Sequence, residues 1–242
     1  RDEGEPLAPN RFSRAALDLL KRDVGPYAWA AQYDGVPRPA EGGLFKRSYF
    51  DSPDHPLIDA DKIPSIAYAV RYWDLAMSEK TSADYTVGWK YGMGVDGHRY
   101  VLDVCRDRVD WGELTEYMAK VMLADGPEVP QGIEMKGYMS RAVQKLNADP
   151  RLHGYSIFGY EVDKDKFTRA LPAAAKAAAG LVHMVNAHWT EPAISELCSF
   201  PNTAHDDQVD AFSGAEEMLM DDSILMIGQV IHDQRQISQS AY

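Results

Sequence analysis

The apolar run Ile66-Ala67-Tyr68-Ala69-Val70-Arg71-Tyr72-Trp73 ends in a carboxylate, Asp74. Its alternation of aliphatic and aromatic residues reads as a strand with one face in a core. A carboxylate at the end of such a strand is costly unless a positive charge meets it. Gln131-Gly132-Ile133 ends in Glu134 in the same manner, and Asp206, Asp207 and Asp210 crowd the start of a predicted helix. There the i, i+3 spacing puts Asp207 and Asp210 on one helical face. The helix dipole accounts for any one acid at that position. Three clusters from distant parts of the chain point instead to a shared cation. An all-carboxylate set selects hard ions, Mg²⁺ or Mn²⁺, and two such ions are a common engine of phosphodiester hydrolysis.

Composition limits the alternatives. The chain has 242 residues, 25 Lys and Arg against 37 Asp and Glu, and a formal net charge of −12. That balance argues against a protein that coats nucleic acid through massed basic side chains, yet it leaves room for an enzyme that touches DNA through local basic strips. No apolar run is long enough to span a membrane. Cys105 and Cys198 are too few for a disulfide framework or a zinc cage and read as thiols of a reducing compartment. Gly92-Met93-Gly94-Val95-Asp96-Gly97-His98 lacks the lysine of a phosphate loop and reads as a hairpin turn, so no ATP site is expected.

Periodicity divides the chain at about residues 63 and 220. Residues 1–62 form an appendage, with a helix at Arg14–Asp23 capped by Ser13, a break at Gly25-Pro26, a second short helix at Tyr27–Tyr33, and then a Pro/Gly-rich stretch. The opening Arg1-Asp2-Glu3-Gly4 reads as a cut inside a longer protein. From residue 63 the expected order is strands Ile66–Asp74, Tyr85–Tyr91 and Arg99–Cys105 as an antiparallel meander, followed by a helix at Trp111–Ala124. A strand at Gln131–Met135, a helix at Ser140–Asn147 and a strand at Ser156–Tyr160 follow. Helices at Lys164–Ala179 (kinked or broken at Pro172), Glu191–Cys198 and Asp206–Met220 complete the unit. This pattern implies an α/β fold with a mixed sheet and helices on its faces. Residues 221–242 are a polar tail.

Several motifs carry a resemblance. Tyr27-Ala28-Trp29-Ala30-Ala31-Gln32-Tyr33, Pro37-Arg38-Pro39 and Gly42-Gly43-Leu44-Phe45-Lys46 resemble the linker between the two domains of tailed-phage terminase large subunits. Arg71-Tyr72-Trp73-Asp74-Leu75-Ala76 with Ala83-Asp84-Tyr85-Thr86 resembles the first acidic motif of their nuclease domain, and Gly132-Ile133-Glu134 the second. Lys166-x-x-Arg169-Ala170-x-Pro172 and His205-Asp206-Asp207-Gln208-Val209-Asp210-Ala211 resemble the last.

The resemblance implies a ribonuclease H-like fold and a metal-dependent endonuclease that cuts concatemeric viral DNA when packaging starts and ends. It implies Asp74, Glu134 and Asp210 as ligands of two Mg²⁺ or Mn²⁺ ions, with Asp207 beside Asp210 as a further metal ligand or a catalytic base and Asp206 as helix cap. It implies double-stranded DNA, an ATPase motor domain absent from this chain, a portal protein and a small terminase subunit as partners, in the host cytoplasm. Asp84 and His205 are candidates to hold a ligand or a water in place. Lys80, Lys136, Arg141 and Arg169 are candidates for DNA contact, in a basic strip with Arg106, Arg108 and Lys145. Two other readings stay open: a junction resolvase or transposase-like core, and a non-catalytic module that docks on the portal.

Overall fold

A computed structural model describes residues 13–32, 43–75, 85–136, 139–202 and 205–224. Among them a six-stranded sheet runs in the order β5-β4-β1-β2-β3-β6. β1 (Ile66–Asp74), β2 (Thr86–Gly94) and β3 (Arg99–Asp107) form the antiparallel meander. β4 (Gln131–Glu134) and β5 (Ile157–Tyr160) add in parallel beside β1, and β6 (Val182–Met184) adds in parallel beside β3. Gly97, at φ +79°, makes the turn between β2 and β3, which is the hairpin the glycine run announces.

Side-chain alternation sorts the sheet into two faces. Val70, Tyr72, Val87, Trp89 and Val104 pack on one face beneath α4 (Lys166–Ala178), α5 (Thr190–Ser199) and α6 (Asp207–Leu219). Trp73 and Ile133 point to the other face, where α2 (Trp111–Asp125) and α3 (Ser140–Asn147) cover them through Leu114, Met118, Met122, Ala142 and Leu146. Phe45 and Phe50, from the segment before β1, lie in the first layer against Phe212 of α6. A Cβ on Gly214 would run into the Tyr72 ring, so the glycine lets α6 settle directly on β1.

The structure departs from or adds to these expectations in three places. α1 is one helix, Arg14–Gln32, running through Gly25 and Pro26. It is capped by Ser13, whose Oγ accepts from the Ala16 amide at 3.2 Å. Packing of α1 along α4 offsets the hydrogen bond that Pro26 removes. α4 likewise continues through Pro172, because its alanine face (Ala170, Ala173, Ala174, Ala177) is buried along its length. It ends at Gly180, φ +72°, with Leu181 N donating to Lys176 O and Gly180 N to Ala177 O, both at 3.0 Å. β6 escapes the sequence reading altogether, being three residues long. No described helix is long and apolar enough to cross a membrane. Cys105 and Cys198 are free, half-buried thiols.

Candidate active site

The parallel register of β1 and β4, Tyr72 opposite Gly132 and Trp73 opposite Ile133, brings Asp74 and Glu134 side by side at the ends of the two strands. Because Trp73 and Ile133 face α2 and α3, the two acids face α6. Asp210, in the first turns of α6, completes the group. All three are buried: 5% exposed for Asp74, 1% for Glu134 and 1% for Asp210.

Their charges are met by three basic side chains. Lys136 Nζ lies 2.6 Å from Glu134 Oε1, 3.4 Å from Asp74 Oδ1 and 3.9 Å from Asp210 Oδ2. Arg169 donates to both oxygens of Glu134, at 3.3 and 3.2 Å, and its Nη1 is 3.6 Å from Asp210 Oδ1. Lys166 Nζ sits 2.6 Å from Asp206 Oδ1 and 2.7 Å from Asp210 Oδ2. Asp165 caps α4, its Oδ1 accepting from Thr168 N at 3.0 Å, and so sets Lys166 and Arg169 on the turn that faces the acids.

The acids are strained electrostatically even so. Burial pushes the Asp74 carboxyl well above its usual pKa; Lys136 opposes this, while Glu134, Asp210 and Asp207 add to it. Burial also raises Asp210 against the pull of Lys166. The Lys136 ammonium loses to burial but gains more from Asp74, Glu134 and Asp210, so its pKa rises. Asp207, in the same first turn of α6 as Asp210, is partly buried, and its pKa climbs to about 6 through burial and the neighbouring charges of Glu196 and Asp206. The buried Asp207 Oδ2 has no hydrogen-bond donor, and Lys166 meets Asp210 Oδ2 as a close ion pair off hydrogen-bonding geometry.

This arrangement fits a hard divalent cation by donor chemistry. Oxygens from three elements converge within 3.9 Å of one point, which the Lys136 ammonium marks. One of them, Asp210 Oδ2, is buried without a hydrogen bond. With the basic side chains lying between the acids, no group of three or more His, Cys, Asp or Glu among the described residues forms a ready cage as it stands.

Other residues predicted for the site fall elsewhere. Asp206 occupies the N-cap position of α6 but makes no capping hydrogen bond, because Lys166 takes its side chain. The cap comes from α5: Glu196 Oε1 accepts from Gln208 N at 2.8 Å and its Oε2 from Gln208 Nε2 at 2.7 Å. Lys136 and Arg169, expected on a DNA strip, spend their charge inside the cluster. Arg141 is exposed on the first turn of α3. His205 is exposed and meets Tyr85 edge-on, ring centroids 5.8 Å apart. Lys80 and Asp84 lie outside the described residues. The sequence reading passed over Lys166 as a site residue, although its i, i+3 spacing from Arg169 was a usable signal. Glu196 had no local signal.

Sheet order and carboxylate placement together define a ribonuclease H-like domain. The sequence matches the profile of the Terminase RNaseH-like domain family over residues 71–219, and the chain belongs to that family. Solved structures agree in fold. The human cytomegalovirus terminase nuclease domain, Mn-soaked and inhibitor-bound, is 14% identical, with TM-score 0.58 over 76% of this chain and 97% of that one. The large terminase nuclease of thermophilic phage G20c with bound magnesium is 13% identical, TM-score 0.52, over 74% and 98%. The Thermus phage P74-26 large terminase nuclease domain is 12% identical, TM-score 0.51, over 74% and 97%. No curated protein sequence matches the chain.

Proposed function

We propose that this chain is a metal-dependent endonuclease that cuts concatemeric double-stranded viral DNA at the start and end of genome packaging. One observation carries the reading: three buried carboxylates from β1, β4 and α6 converge on a single point in a domain of the terminase family. The G20c neighbour with bound magnesium and the Mn-soaked cytomegalovirus neighbour support Mg²⁺ or Mn²⁺ as the ion; that two such ions act together is what the resemblance implies.

Asp74, Glu134 and Asp210 would hold the metal, with Asp207 beside them. Bound divalent metal supplies an activated water at neutral pH and stabilisation of the leaving oxygen. The chain's own groups prepare that chemistry. Arg169 fixes Glu134 through two hydrogen bonds. Lys166 holds Asp210 and Asp206 together. Trp73 and Ile133 anchor the strand ends from the opposite face. As the resemblance implies, an ATPase motor domain, a portal protein and a small terminase subunit are partners in this reading, and the host cytoplasm is its setting. The polar tail from 221 and the segment before 63 are then connections to the rest of the packaging machine.

Plasmid cleavage tests the proposal. The chain should nick and linearise plasmid with Mn²⁺ or Mg²⁺ and not in EDTA, and Asp74→Ala should abolish cutting while retaining the circular dichroism of the fold. Preference for four-way junctions over linear duplex would favour the resolvase reading. Absence of cutting by the folded wild-type chain with both metals would overturn the nuclease.

A further inference from the structure

Across the same edge of the sheet, on the side away from β4, two arginines share one aromatic ring. The Arg106 guanidinium lies 3.4 Å from the Tyr85 ring centroid and that of Arg108 lies 4.5 Å from it, with His205 edge-on to the same ring. Register ties this group to the carboxylates. Asp74 pairs with Val87, and Val87 pairs with Arg106, so Asp74, Val87 and Arg106 point to one face of the sheet. Arg106 therefore stands two strand spacings from Asp74, about 10 Å, and Arg108 continues along the same face.

The two arginines do different things. Arg106 is partly buried, and its Nη2 lies 3.3 Å from Glu196 Oε2, the carboxylate that caps α6. It thereby joins the ring to the helix bearing Asp210. Arg108 is exposed and has no carboxylate within 4 Å among the described residues. The acid between them, Asp107, alternates to the other face and accepts from the Tyr117 hydroxyl at 2.5 Å, so it does not neutralise Arg108. With two guanidiniums over it, the Tyr85 ring is already engaged and is not a stacking platform for a base. What remains on offer is a held, outward positive charge, which suits a backbone phosphate.

We infer that Arg108, laid over Tyr85 beside Arg106, binds a backbone phosphate of duplex DNA on the β3 side of the carboxylate cluster. This rests on the nuclease reading and adds to it the flank along which the substrate lies. The contact positions the strand and is indifferent to base sequence.

The test is fluorescence anisotropy of a short duplex in EDTA, titrated with the full 242-residue chain over a salt series. Arg108→Gln should weaken binding and lower the slope of log affinity against log salt by about 0.9, the loss of one phosphate contact. Tyr85→Leu should reproduce part of that loss and Tyr85→Phe should not, since the ring is retained. Lys120→Gln, on the outer surface of α2, should leave the slope at the wild-type value. An Arg108→Gln slope equal to wild type overturns the inference, as does absence of duplex binding by the wild-type chain at low salt. Plasmid cleavage in Mn²⁺ is scored separately. Cutting with an unchanged Arg108→Gln slope removes this contact and keeps the nuclease, whereas a lowered slope without cutting keeps the contact and removes the nuclease.

Discussion

Replacing Asp207 by Asn should make the metal-free protein more stable at pH 8 and bring no gain at pH 4. In the fold its carboxyl has a pKa of about 6 against an ordinary 3.8, chiefly from burial and then from Glu196 and Asp206. Left unscreened, keeping that group ionised at pH 8 would cost ~3 kcal/mol. The side chain is partly exposed, so solvent screening reduces the cost to about 1–1.5 kcal/mol. An acid in the first turn of α6 also gains from the helix dipole, ~0.3–1 kcal/mol, which the amide forfeits. The net gain for Asp207→Asn is then about 0.5–1 kcal/mol, or roughly 2 °C in Tm for a chain of this size. The sign follows from linkage. With the folded pKa above the unfolded one, wild type takes up its proton as pH falls from about 6 toward 4 and recovers the lost stability, so the advantage of the variant fades across that window. Urea unfolding in EDTA at pH 8, 6 and 4.5 measures it. A variant equal to or weaker than wild type at pH 8, or an advantage that grows on acidification, would refute the reasoning.

Further expectations concern the metal, the cap and the far end of the sheet. Saturating Mn²⁺, at about 100 times its Kd, should stabilise the wild-type chain by ~2.7 kcal/mol; Glu134→Gln should largely lose that shift in differential scanning fluorimetry. Lys136→Met removes the ammonium on which three acids converge. It should lower the Tm in EDTA and enlarge the Mn²⁺ shift, and an unchanged Tm in EDTA would count against the ion-pair account. Asp206→Asn should cost under about 1 kcal/mol, as one partly exposed ion pair with Lys166, and leave metal-dependent cleavage in place. His183, which contacts His98 Nδ1 at 2.7 Å and stacks on His55, has its pKa pulled down to about 4 by burial and then by those two histidines. Its contribution to stability is therefore lost as pH falls from 6.5 toward 4, by about 1–1.5 kcal/mol after screening, and His183→Gln should flatten the unfolding free energy across that range.

Much of the fold was legible because its elements carry strong local signals. β1 and α3 have the predicted bounds, and the meander follows from alternation and a glycine turn. Errors arose where tertiary contact overrides local chemistry. Gly25-Pro26 and Pro172 look like breaks in isolation, and both helices continue because a neighbouring surface rewards continuity. β6 exists because β3 offers an open edge and the chain from Ile58 extends it, a relation between residues far apart in sequence.

In the site, Asp74 and Glu134 are visible as ligand candidates because an acid closing an apolar strand is anomalous in any sequence, and Asp210 through its i, i+3 spacing from Asp207 at a helix start. Their cations were harder to assign. Lys136 and Arg169 look from sequence like surface charge available to DNA, and the structure shows both of them, and Lys166 as well, spent on an acid. That reassignment changes the electrostatic argument about substrate. If three basic groups near the cut are already committed, phosphate attraction at this edge must come from outside the cluster, from bound metal and from uncommitted charge. Among the described residues Arg108 is such a charge, exposed and held by a ring with no carboxylate within 4 Å. A chain of net charge −12 can then approach DNA through a narrow positive edge while the rest of its surface repels it. Binding should therefore be weak, orientation-dependent and steeply sensitive to salt, with cutting sites chosen by where the packaging machinery holds the duplex and not by base contacts of this domain.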